Sequence, residues 1–275
     1  MSLRKRSKKK LMELKPLLDR INDQVESPGY IQHDPVQFMH AFDNKQDREI
    51  AGFLAAMMAW GRRDIVISKT EELLQRMGNQ PHRYVLDYKP SRISDFNDFR
   101  HRTFKKIDIH GLLSALHIIY HSMDDFESFW RNCYSRTPMQ DGSLLSCFHH
   151  RFMGLSVEMA PRTRKHISDP LKKSTAKRLC MYLRWTVRKN SPVDTGIWNF
   201  INPSDLMIPL DVHVARQSRQ LGLLTRKSND WKAVVQLTSI LRKLNPGDPA
   251  RYDYALFGLG ALGYNLPDHF KLNAV

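Results

Sequence analysis

The sequence predicts an all-α fold, and three observations carry that prediction. Apolar residues recur every three or four positions along most of the 275 residues, no run of alternating residues reads as a strand, and no internal repeat of fixed period is present. A chain of this length buries a full core and accommodates one large domain or two modest helical lobes.

The elements follow in order. Residues 2–10 form a basic block that repels itself and should stay mobile unless a polyanion orders it. Leu11, Leu14, Leu17, Leu18 and Ile21 then mark a helix that Ser27-Pro28-Gly29 ends. Asp34-Pro35 reads as a capped helix start. Ile50, Phe53, Leu54, Met57 and Met58 mark a helix with one buried face, stopped at Trp60-Gly61-Arg62-Arg63. A partner helix over 64–77 makes a helix-turn-helix whose corner carries the two arginines, placed to meet a phosphate or simply solvated.

Residues 87–108 read as an irregular connection pinned by Phe96, Phe99 and Phe104. Helical spacing returns over 108–121, 124–134 and 144–160, with a loop between the last two. A helix over 175–188 carries Leu179, Tyr182, Leu183 and Val187 on one face and a basic stripe of Lys177, Arg184 and Arg188 on another, facing a groove or solvent. The insertion 192–204 holds Trp198 and ends in a turn. Two more helices, 228–244 capped near Ser228 or Asn229 and 252–262, complete the chain. Gly258, Gly260 and Gly263 in the last one permit close helix contact without forming a dinucleotide fingerprint.

Lys and Arg total 43 against 28 Asp and Glu, a net charge of +15. Such an excess concentrates polyanions at the surface, so nucleic acid is the leading partner expected, DNA first and RNA as an alternative. Cys133, Cys147 and Cys180 are too far apart in sequence for a Cys-x-x-Cys ligand set, so the expectation is reduced core thiols, no metal and no cofactor. Neither an apolar run of membrane-spanning length nor a signal-peptide core is visible, which predicts a soluble cytoplasmic monomer without a membrane partner.

The chemistry-bearing stretch runs from Ser168 to Gly222. Proline at 209 blocks helix before it, so Asp211 is expected to cap a helix containing Val214, Ser218 and Leu221. If Asp211 and Lys177 share a cleft, an amine nucleophile has a carboxylate beside it. A lysine amine attacks a nucleoside's anomeric carbon to give a Schiff base when burial or nearby positive charge keeps it unprotonated, and Arg178, Arg184 and Arg188 supply such charge. Asp211 can then support a sugar cation. The plain alternatives are a cap that does nothing more and a lysine that only holds phosphate.

The run Pro209-Leu-Asp211-Val-His213-Val-Ala-Arg216, with Leu221-Gly222-Leu223, resembles the aspartate segment of the helix-hairpin-helix (HhH-GPD) DNA glycosylase superfamily. Ser174-Thr-Ala-Lys177-Arg178-Leu matches the position of that family's lysine, and Tyr254 to Ala261 resembles its late helix. More closely, Asp47-Arg-Glu-Ile, Trp60-Gly-Arg62, Lys177 to Trp185 and Ile208 to Asp211 are similar to the DUF2400 family, a match that covers most of the chain from about residue 30. The chain departs from the glycosylase pattern in four ways: its hairpin carries no glycine, its Lys-to-Asp gap is longer than in the endonuclease III type, no cysteines follow Gly263 for an iron-sulfur cluster, and Arg62 stands where relatives often carry a glutamine-rich base-wedging loop.

The resemblance implies a basic N-terminal tail and helix over 1–29, followed by a two-lobed glycosylase-like domain over 30–275 with a cleft between lobes. It implies a DNA-repair glycosylase that flips a damaged base, with abasic-site lyase activity where Lys177 is the nucleophile and Asp211 its acid. The alternative is a silent nucleic-acid binder of the same fold. DNA contacts are expected from Arg62, Arg63, Lys172, Lys173, Ser174, Arg178, Arg184, His213 and Arg216, and base stacking from Trp60, Trp185 or Trp198.

Overall fold

The computed structural model describes residues 6–135, 139, 141–264, 267 and 270. The first part of the basic block, through Lys5, lies outside them. Helix α1 (Lys8–Val25) starts earlier than its apolar spacing indicates, because Ser7 accepts the Lys10 N–H and caps it. Arg6 is tied down by the carbonyls of Leu221 and Phe270.

Two single turns, α2 (Pro28–Ile31) and α3 (Gln37–His40), lead into α4 (Lys45–Met58). That helix is buried on every side from Glu49 to Met58 and not on one face. Its other faces carry only Ala51, Gly52, Ala55 and Ala56, so neighbours approach closely; a Cβ on Gly52 would sit 2.6 Å from Met39 Cγ. Helix α5 (Arg63–Arg76) follows, then a short α6 (Pro81–Leu86). A two-residue hairpin, β1 (Arg100–His101) against β2 (Phe104–Lys105), pairs antiparallel with Arg100 opposite Lys105. Both the hairpin and α6 are too short to show a period in sequence.

Helices α7 (Lys106–Ser122), α8 (Phe126–Tyr134) and α9 (Ser143–Met153) complete the first half, α9 ending at Gly154, earlier than expected. Beyond the turns 161–165 and 170–172 come α10 (Lys177–Val187), α11 (Val212–Gln220), α12 (Trp231–Leu244) and α13 (Tyr252–Ala261). Asp230, rather than Ser228 or Asn229, caps α12. The described residues are mainly helical, and none of their helices is long and apolar enough to cross a membrane.

Glu49 holds the centre together. Its fully buried carboxylate accepts from Tyr120 Oη (2.7 Å), Trp198 Nε1 (2.6 Å) and the backbone N–H groups of Phe126 and Glu127 (3.1 and 3.2 Å), while Tyr182 Oη reaches its carbonyl. Three segments, α7, α8 and 192–204, therefore meet on one side chain of α4, and a fourth, Tyr182, binds its backbone. Burial pushes the Glu49 carboxyl up to about 6, against the pull of the Tyr120 and Trp198 donors.

Gly258 and Gly260 let α13 wedge between two helices. A Cβ on Gly258 would stand 2.7 Å from Val25 Cγ2 of α1, and one on Gly260 would stand 2.9 Å from His213 Cβ of α11. Helix α13 is thus seated against the helix that Asp211 caps.

Candidate functional site

A cleft of about 1210 Å³ opens over the N-termini of α5, α10 and α11 and over the face of α13. Among its lining residues are Lys177, Asp211 and Asp253, so the lysine and the aspartate expected to share a cleft do line the same one.

Lys177 is the first residue of α10. The turn before it has no glycine, yet Lys173 (φ 65°) and Ala176 (φ 46°) take the left-handed conformation that glycine ordinarily supplies. Side chains hold it there: Asp169 accepts the Leu171 N–H at 3.0 Å and Ser174 Oγ accepts the Ala176 N–H at 3.0 Å. The half-buried Lys177 is thereby presented at the cleft by a locally braced turn.

Asp211 is the cap that its sequence context predicts. Its Oδ1 accepts the N–H groups of both His213 and Val214, each at 2.9 Å. That oxygen is committed to the helix start, and the carboxylate is oriented by it.

Asp253 was not anticipated. It lies on the buried face of α13, where Arg184 Nη1 binds its Oδ2. Burial pushes its carboxyl up to about 7; Arg184 and Lys177 oppose the rise, and Asp211 and Asp194 add to it. The charges of both predicted residues thus converge on a third. A carboxylate among the apolar Tyr252, Tyr254, Ala255 and Leu256 was the available signal, since a charge on a helix's buried face needs a partner.

The basic stripe of α10 is corrected. Arg184 and Arg188 are each only 3% exposed, so neither faces solvent. Arg184 lies at the cleft floor, committed to Asp253 and, at 3.4 Å, to Asp194, with its guanidinium 4.1 Å from the Tyr254 ring centroid. Arg188 binds Asp194, Glu26 (2.7 Å) and Asp248 (2.8 Å). Their charge is spent on carboxylates and is not left over for a phosphate or for Lys177. Arg178 is similarly engaged, donating to the carbonyls of Met57 and Lys165, and burial lowers its guanidinium to about 10.

The tryptophans divide. Trp185 and Trp198 have no exposed surface and do not line the cleft; they are core, Trp198 being bound to Glu49. Trp60 does line the cleft, with Arg102 over its ring at 4.8 Å.

Of the remaining expected contacts, Arg63 lines the cleft between the rings of Tyr30 (5.3 Å) and Phe257 (4.8 Å), and lies 3.8 Å from Asp34. Arg62 is exposed and paired with Asp64 at 2.7 Å. Lys172 and Lys173 are exposed beside the cleft-lining Ser174. The His213 ring and Arg216 both turn to the Gly260 carbonyl, at 3.1 and 3.0 Å, satisfying an end carbonyl of α13. Among the described residues no cluster of His, Cys, Asp and Glu has the arrangement of a metal site.

No curated protein and no solved structure matches the chain. Residues 34–262, which contain every residue of the cleft except Tyr30, match the family described as "Protein of unknown function (DUF2400)". The chain belongs to the DUF2400 family.

Proposed function

We propose that this protein removes a base from DNA, as a glycosylase with abasic-site lyase activity, and that its helices form the two-lobed arrangement of the helix-hairpin-helix glycosylases with the cleft between lobes. The observation that carries the reading is the convergence of Lys177 and Asp211 on one cleft of about 1210 Å³, despite their separation in sequence. That volume admits a nucleoside turned out of a helix, at an unstacking cost of a few kcal/mol that is smallest for a damaged base.

In this reading Lys177 Nζ bonds to C1′ of the sugar as the base leaves, giving a Schiff base after ring opening. Asp211, fixed by two backbone donors, supports the positive charge that develops on the sugar. Trp60 and the Arg63, Tyr30 and Phe257 group offer flat surfaces for the base. Lys165, Lys172 and Lys173 contact the phosphates.

Borohydride reduction in the presence of duplexes carrying an abasic site or a panel of damaged bases tests the reading. A covalent adduct is expected with the wild-type protein and none with Lys177→Ala. An adduct that survives Lys177→Ala removes the nucleophile from this assignment. Neither adduct nor base release on any duplex overturns the reading as a whole.

A further inference from the structure

We propose that Asp253, and not Asp211, moves the proton in this site, relaying it between the Lys177 nitrogen and the oxygen that departs from C1′. The inference rests on the base-excision reading above and concerns the division of labour between two carboxylates.

The two aspartates are held differently. Asp211 Oδ1 carries two N–H donors of α11 and serves as that helix's cap, so protonating it would work against the first turn. Asp253 has one partner, Arg184 on its Oδ2, and its Oδ1 takes no hydrogen bond among the described residues. It lines the same cleft, seated on α13, whose close approach to α11 is set by Gly260.

The groups around it come from each packed element. Helix α10 supplies Lys177, Arg184 and Cys180; α11 supplies Asp211 at its start and His213; the 192–204 segment supplies Asp194; Tyr30 and Tyr254 complete the surroundings. Two cations and two carboxylates bear on Asp253 in opposite senses, and burial pushes its carboxyl up to about 7. A relay needs such a group, since it must accept and give a proton at similar cost.

On an abasic site the steps balance as follows. Lys177 Nζ bonds to the C1′ aldehyde carbon, and the carbonyl π pair moves to oxygen. The Asp253 carboxylate takes the extra proton from nitrogen and gives it to that oxygen, forming the carbinolamine. Recharged with a proton from solvent, Asp253 protonates the hydroxyl, which leaves as water while the nitrogen lone pair closes the C=N bond. Asp253 ends as carboxylate and the product is the protonated imine.

The test is the rate of borohydride-trapped adduct on a duplex with one abasic site, between pH 5.5 and 8.5. It compares wild type, Asp253→Ala, Asp253→Asn and Asp211→Ala, each with and without added formate. Asp253→Ala is expected to slow the adduct about 100-fold, with formate restoring much of the loss, because a small acid can replace a missing proton carrier but not a missing structural contact. Formate is expected to do nothing for Asp211→Ala. Asp253→Asn keeps an acceptor for Arg184, serves if the alanine variant does not fold, and is expected to lose the rate change near pH 7 that wild type shows. An Asp253→Asn rate within threefold of wild type with an unchanged pH profile overturns the proposal, as does formate rescue of Asp211→Ala alone. If the wild-type protein gives no adduct at any pH, the lyase part of the base-excision reading has failed and this assignment falls with it, whereas base release without an adduct would leave the glycosylase part standing.

Discussion

Four lysines around the cleft, Lys165, Lys172, Lys173 and Lys177, take part in no ion pair among the described residues, whereas Arg178, Arg184 and Arg188 are spent on carbonyls or carboxylates. This separates cations that can neutralise phosphate from those that cannot. With Lys177 kept for the sugar, the other three lysines each displace a counterion from duplex DNA, and the logarithm of the binding constant falls against the logarithm of salt with a slope of about −2.7. Affinity then drops about 40-fold between 50 and 200 mM salt. Replacing Lys172 and Lys173 by alanine removes two of the contacts, so the slope should ease to about −0.9 and the same salt step should cost about 3.5-fold. Fluorescence anisotropy of a labelled duplex at several salt concentrations reads both slopes. A wild-type slope shallower than about −2, or a double variant with an unaltered slope, would refute this assignment of the phosphate face.

Arg184→Met should destabilise the fold by about 3–5 kcal/mol, because it leaves Asp253 and Asp194 buried without a shared partner; urea unfolding monitored by tryptophan fluorescence measures it, and a loss under 1 kcal/mol would show the pair to be dispensable. Glu49 gives a pH signature. Its folded-state value of about 6 lies above the ordinary range, so the folded protein holds this proton more tightly than the unfolded chain does, and stability from this group is present at low pH and lost as pH rises through 6. Relative to Glu49→Gln, the wild-type protein should therefore gain up to about 2 kcal/mol as pH falls from 7 to 4.5; paired urea titrations at the two pH values check the sign.

Much of the helical framework was legible because helical period is a local property. The same holds for the Asp211 cap, where Pro209 before it and Val214, Ser218 and Leu221 after it confine the helix start to one place. What local spacing could not show is which charges are buried. Lys177, Arg184 and Arg188 have the spacing of a solvated stripe, and only the fold brings Glu26, Asp194, Asp248 and Asp253 from four separate segments to two of them. The tryptophans misled for a related reason, since a core indole and one lining a cleft look alike in sequence. Nor does local spacing show that the glycine-free turn before Lys177 places Lys173 and Ala176 in the left-handed conformation, braced by side-chain hydrogen bonds from Asp169 and Ser174.

The buried ionic network bears on the site through α10. One helix carries Lys177 at its half-buried start, Arg184 along its buried length and Arg188 at its buried C-cap. Those arginines join it to α1 through Glu26, to the 192–204 segment through Asp194 and to α13 through Asp253. An apolar face of the same volume would pack α10 at comparable or lower cost, because desolvating charges is expensive. It would also let the helix slide or rotate against its neighbours, since apolar contact is non-directional. Directional pairs fix the register, and a rotation of α10 by one residue would carry Arg184 away from Asp253 and Lys177 out of the cleft together. The network therefore sets where the amine stands relative to Asp211 and Asp253, and Arg184, expected as a DNA contact, acts on the site from beneath it.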